Sequence, residues 1–238
     1  MQTNALNRQP GSARLFRYVS IALCSAAMLT ACGGGGGDAN PVVQPSSTDF
    51  PLASIMSSFV QAPHQYELTA TVGGKVYALT DAYAPLANAT FEGKASLAAL
   101  QTVTIKTGGA VSSVIRSNLY FAANPNYVQL GSTDPDSADY TVVVQTANLP
   151  ISAKLGQAGP IGTATNYLNS NKTTVVDTAA ITWTLEADTG GAALFCIVTD
   201  IGGTDPIKGS ECLRIDTTGR VLGRVIKATS GGVTITFS

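Results

Sequence analysis

The chain has 238 residues, of which 12% are charged and 7% aromatic, with 24 glycines and a formal net charge of −1 at pH 7. That balance lacks the basic footprint that nucleic-acid binding requires. Few charged side chains beside abundant Thr, Val, Ala and Gly favour strands and turns over long helices.

The first 17 residues carry Arg8, Arg14 and Arg17 and no acidic side chain, and Tyr18 to Thr30 form a mostly apolar run of 13 residues. A positive stretch, a short apolar stretch and a small-residue site make a signal-peptide layout. A spanning helix needs about 20 apolar residues, so no transmembrane helix is expected in the mature chain. The run ends in Leu29-Thr30-Ala31-Cys32, followed by five glycines. This tetrapeptide resembles the lipobox of bacterial lipoproteins. The resemblance covers about the first 37 residues and implies that the chain is cut before Cys32, which takes acyl chains as a membrane anchor. One acyl chain binds only marginally, whereas two or three hold stably. Gly33 follows the anchor where an aspartate would signal inner-membrane retention, so the resemblance implies the outer membrane, with the body in the periplasm or on the cell surface. Residues 33–49 then read as a Gly/Pro/Ser tether whose flexible span is about 20 to 25 Å.

Four cysteines occur. With Cys24 lost in the leader and Cys32 lipidated, Cys196 and Cys212 remain, and in an oxidising compartment they are expected to pair. Loss of the three leader arginines takes the basic residues from 14 to 11 against 15 acidic ones, a mature net charge of −4.

The expected organisation is a signal peptide over 1–31, the lipidated cysteine and tether over 32–49, a short helix and junction over 50–64, and one β domain over 65–238. In "TDFPLASIMSSFVQ" the apolar residues Leu52, Ile55, Met56, Phe59 and Val60 recur at helical spacing, with Thr48 or Asp49 as N-cap and Pro51 in the first turn. The face lacks flanking Lys or Arg, so packing on the body is favoured over lying in a membrane interface.

From residue 65 the period becomes two. Tyr66, Leu68, Ala70 and Val72 alternate with polar residues, and Gly73-Gly74 offers a tight hairpin to Val76–Thr80. A second hairpin is expected at Gly108-Gly109, between Val103–Lys106 and Val111–Arg116. Leu119–Ala122, Tyr127–Leu130 and Tyr140–Gln145 are further strand candidates. Ile181, Trp183 and Leu185 share one face of a strand that returns after Thr189-Gly190-Gly191 through Leu194, Cys196 and Val198. Leu213 and Ile215, a turn at Thr217–Gly219, Val221–Lys227 and Val233–Phe237 complete the pattern. The expectation is all-β: an antiparallel barrel, half-barrel or sandwich of about ten strands with one short N-terminal amphipathic helix. Two sandwich-like halves meeting near Leu149-Pro150 are the alternative.

Chemistry is sparse. The single histidine, His64, sits at the helix–strand junction, away from any nucleophile pattern. Asp188-Thr189-Gly190 and Asp216-Thr217-Thr218-Gly219 read as turns rather than protease loops. Asp134, Asp136 and Asp139 are calcium candidates by ligand type, without an EF-hand's glycine and distal glutamate. Lys208, Arg214, Arg220, Arg224 and Lys227 crowd one region and offer either an anionic contact or charges that guard an edge strand. No cofactor is expected. The reading is a non-enzymatic binding or structural module of the cell envelope, partnered by the membrane through Cys32 and by an envelope protein, polymer or lipid ligand. The alternatives are a carrier or clamp for an apolar, lipid-like molecule held in a concave sheet, and a hydrolase built from two of Glu186, Asp188, Asp200 and Asp216.

Overall fold

The computed structural model describes residues 48–123, 127–203 and 206–238. The expected leader, Cys32 and most of the expected tether lie outside the described residues. None of the described helices is long and apolar enough to cross a membrane.

One helix and thirteen strands are present among the described residues: α1 (Leu52–Gln61), β1 (His64–Val72), β2 (Lys75–Pro85), β3 (Ala89–Phe91), β4 (Lys94–Thr107), β5 (Ala110–Ala122), β6 (Gln129–Thr133), β7 (Tyr140–Gln145), β8 (Ala158–Tyr167), β9 (Val175–Ala187), β10 (Ala193–Ile201), β11 (Ile207–Ile215), β12 (Val221–Ser230) and β13 (Val233–Phe237). Apart from β3, which pairs only with β4, each strand is hydrogen-bonded to its neighbour in sequence, in the order β1-β2-β4-β5-β6-β7-β8-β9-β10-β11-β12-β13. Two reciprocal hydrogen bonds between Thr69 and Ser238, both 3.1 Å, bring the last strand against the first. The sheet thereby curls into a nearly closed antiparallel up-and-down barrel, which leaves little of the exposed edge that invites unwanted pairing. Strands on both sides of Leu149-Pro150 belong to this one sheet, so two successive sandwiches do not describe it.

The Gly-Gly hairpins stand where expected. Gly73 and Gly74 have φ of 55° and 76°, and Val72 pairs with Lys75 across them. Along each strand one parity faces inward. Leu68, Leu79, Val103, Phe121, Ile181, Trp183, Leu185, Phe195, Leu213 and Ile235 are all buried, which is the inward alternation of a barrel filled by side chains.

In a meander, alternate connections share an end of the barrel. The β5–β6, β7–β8, β9–β10 and β11–β12 connections lie at one end, and α1 closes that end. Leu52, Ile55, Met56 and Val60 are buried and join Trp183, Leu185, Phe195 and Ile215 in the main core. The helix packs as its amphipathic spacing predicts, but its N-cap is Pro51 and no side chain caps it, so Thr48 and Asp49 do not have that role. Neighbouring backbone holds it instead. Phe50 and Ala153 exchange hydrogen bonds of 2.8 and 3.0 Å, the Ala53 N–H donates to the Ile151 carbonyl, and Tyr83 Oη donates to the Val60 carbonyl at 2.8 Å. Gly219, at φ +88°, turns β11 into β12 beneath the helix, where a Cβ would lie 2.8 Å from Pro51 Cγ.

A second layer sits outside the wall. The β3–β4 hairpin lays Phe91 against Tyr120 and Tyr140, with ring centroids 4.5 and 5.3 Å away. Gly131 makes room for it, since a Cβ there would meet Phe91 at 2.5 Å and the Thr141 carbonyl at 2.2 Å. Cys196 and Cys212 are direct cross-strand partners on β10 and β11 and form the expected disulfide, with Cα atoms 3.9 Å apart. They lie on the opposite face from Phe195 and Leu213, in a small cluster with Val198 and Val225.

Candidate functional site

The barrel is not filled throughout. Beneath α1 lies a cavity of about 150 Å³, with Met56 and Phe59 as its helical lid and Phe121, Val143, Ile161, Ile181, Phe195 and Leu213 among its walls. Side chains of β2 and of β4 to β12 reach it, so most of the barrel positions the site. Much of the lining is apolar; Gln101, Thr199, Glu211 and Arg224 are polar on one side, and Ser117, Gln129, Ser132 and Thr141 of β5, β6 and β7 are polar on another.

That polar side is a buried ionic cluster. Arg224, 5% exposed, forms ion pairs through Nη1 with Asp81 and through Nη2 with Glu211. Asp81 is 0% exposed and its Oδ1 accepts a hydrogen bond from Gln101 Nε2 at 2.8 Å. Arg224 Nε has no hydrogen-bond partner. The guanidinium carbon stands 5.5 Å from the Phe59 ring centroid, within cation–π range. Glu211 lies deep in the barrel yet keeps 38% of its side chain accessible. Its register is that of Leu213, so this accessible surface opens on the cavity. Burial pushes the Glu211 carboxyl above its ordinary range, with Arg224 opposing. Buried charges of this kind are costly unless paired, and two carboxylates here share one guanidinium.

His64 completes the lid region. Its ring stacks on Tyr83, with centroids 4.5 Å apart, and lies tilted against Phe59 at 4.1 Å. Nδ1 lies 3.1 Å from the Ala62 carbonyl, while buried Nε2 has no partner. That pattern suits the neutral ring with its proton on Nδ1. Burial lowers the His64 pKa, the Ala62 bond opposes the shift, and Arg224 adds to it.

The five basic residues grouped by sequence do not form one anionic contact. Arg224 points inward; Arg214 pairs with Asp188, Arg220 with Asp216 at 3.2 Å, and Lys227 with Glu186 at 3.5 Å. Lys208 lies on β11, apart from these pairs. Nor do they guard an edge, since β11 and β12 are both paired on two sides. Period-two alternation explains the split: Arg224 shares parity with Ile226, whereas Lys227 shares parity with Val225 on the outer face.

The calcium candidates are engaged in a surface turn. Asp134 Oδ1 accepts the Asp136 N–H, Asp134 Oδ2 accepts the Ser137 hydroxyl, and Asp136 pairs with Arg116 at 2.6 Å. Asp139 sits in the same turn, its N–H 3.4 Å from Ser137 Oγ. Among the described residues no group of three His, Cys, Asp or Glu side chains is placed to hold a metal ion. The proposed hydrolytic carboxylates are likewise dispersed. Asp188 faces Arg214, Glu186 accepts from Thr184, and Asp216 accepts from Thr218 and Arg220. Asp188 and Asp216 serve turns as their sequences suggest, Gly190 standing at φ 68°.

The carboxylates that reach the cavity region, Asp81 and Glu211, were not among the sequence candidates. The available signal was parity: Asp81 lies between inward Leu79 and Tyr83, and Glu211 two residues before inward Leu213. Compared with protein-family models, curated proteins and solved structures, the chain matches none.

Proposed function

We propose that the protein is a lipid-anchored, non-enzymatic binding module of the cell envelope, whose barrel takes a small, mainly apolar ligand into its interior. The observation that carries this reading is the cavity of about 150 Å³ walled by Phe, Ile, Leu and Val side chains. A cavity of about this size with largely apolar walls has room for a benzene-sized molecule. The carrier alternative is therefore preferred in a restricted form: the space suits one ring or a short chain rather than a full-length acyl tail, since drug-sized ligands occupy clefts of about 300 Å³ or more.

Anchoring through Cys32 would set this module beside the bilayer, from which apolar molecules partition. The Cys32→Ser chain is expected to leave the membrane fraction; cofractionation equal to the parent contradicts the anchor. Binding is tested by thermal unfolding with ethylbenzene. A ligand at about 100 times its Kd stabilises by about 2.7 kcal/mol. The parent should show a rise in Tm that Ile181→Trp, which fills the chamber, lacks. An unchanged parent Tm at saturating ethylbenzene contradicts the reading.

A further inference from the structure

The cavity's charge chemistry narrows the class of ligand, on the reading that the chamber binds a small apolar molecule. The geometry points to a primary-amine ligand: an apolar ring or short chain fills the chamber, and its ammonium group is received by the cavity-facing carboxylate of Glu211.

Three observations lead there. Glu211 Oε2 is engaged by Arg224 Nη2, while its accessible side-chain surface faces the cavity. Negative groups outnumber positive ones beside the chamber: Asp81 and Glu211 share the single guanidinium of Arg224. An anionic ligand would meet two carboxylates around a guanidinium whose terminal nitrogens each face one of them. An ammonium instead supplies a positive charge and donors to a carboxylate partly removed from water, where charge-assisted hydrogen bonds are strong. The third observation is the aromatic lining. Phe59, Tyr83, Phe121 and Phe195 line the same chamber and add the ring faces that favour a nearby cation.

Isothermal titration of the whole protein with four probes of similar size tests this: 2-phenylethylamine, 2-phenylethanol, ethylbenzene and 3-phenylpropionate. The amine is expected to bind at least about 10-fold tighter than the other three, equivalent to about 1.4 kcal/mol. Glu211→Gln should bring the amine down to the level of the alcohol, with its far-UV circular dichroism spectrum certifying the fold of the variant. Equal affinity for amine and alcohol in the parent overturns the amine assignment while leaving the apolar-chamber reading intact. Tightest binding of 3-phenylpropionate overturns it in favour of Arg224 as the ligand's partner. Failure of all four probes overturns the assignment and the chamber reading together.

Discussion

Arg224 spans the two halves of the chain's barrel, reaching Asp81 on β2 and Glu211 on β11. Removing one member of a buried ionic set leaves its partners uncompensated at a cost of about 3 to 5 kcal/mol, whereas replacing the set with apolar residues is often neutral or stabilising. Arg224→Met should therefore lose about 3 to 5 kcal/mol in urea unfolding. The combined Asp81→Val, Glu211→Leu, Arg224→Met variant should return to parental stability or better. Parental stability in the single variant would contradict the buried cluster. At the surface, Asp216 acts differently. The Thr218 hydroxyl and then the Arg220 N–H pull its carboxyl down to about 2 from an ordinary 3.8. A depressed carboxylate contributes stability above its unfolded pKa and loses it as pH falls through the folded one. The parent should thus lose Tm between about pH 4 and pH 2 more steeply than Asp216→Asn, and identical slopes would contradict the turn's hydrogen bonding. Arg224 was hard to read from sequence because a cation in a strand ordinarily faces water, and Asp81 lies far away in the chain. Asp216 was legible because Asp and Gly at a bend have a local reason to be there.

At the level of elements, α1 is fixed by contacts rather than by its own caps. Ile55 is 0% exposed and Gly219 lies against Pro51 beneath it. Ile55→Ala should cost about 2 to 5 kcal/mol, since a buried aliphatic truncation loses transfer energy and leaves a cavity. Equilibrium denaturation measures this directly; a loss under 1 kcal/mol would mean that the helix does not seal the barrel. The helix itself was readable because five apolar residues fall on one 3.6-residue face. The Gly-Gly hairpins were readable because both bends use positive φ. The short β3, β8 and the first half of β4 were not. β8, "AGPIGTATNY", carries Gly and Pro that ordinarily interrupt a strand, and its pairing with β9 shifts between Pro160 and Gly162. The first half of β4, "KASLAALQ", is rich in helix-favouring Ala and Leu, and its pairing with β2, β3 and β5 overrides that preference.

For the whole molecule, alternation announced an antiparallel all-β body but could not choose among barrel, half-barrel and sandwich, because that choice depends on what β13 meets. The Thr69–Ser238 pair decides it. The curled sheet and the α1 lid together shape the chamber, and its volume could not be read from sequence because it depends on how all the inward side chains interlock. The disulfide ties β10 to β11 on the outer face and leaves the inner wall to Phe195, Ile197 and Leu213.

The interior chamber is tested most directly by methyl-resolved NMR during titration with ethylbenzene. Saturable shifts are predicted at the methyl groups of Leu119, Ile161, Ile181 and Ile197, which line the cavity, with none at the outward, 59% exposed Val144. Unmoved interior methyl groups, or shifts confined to the outer face, would contradict a ligand-accepting barrel.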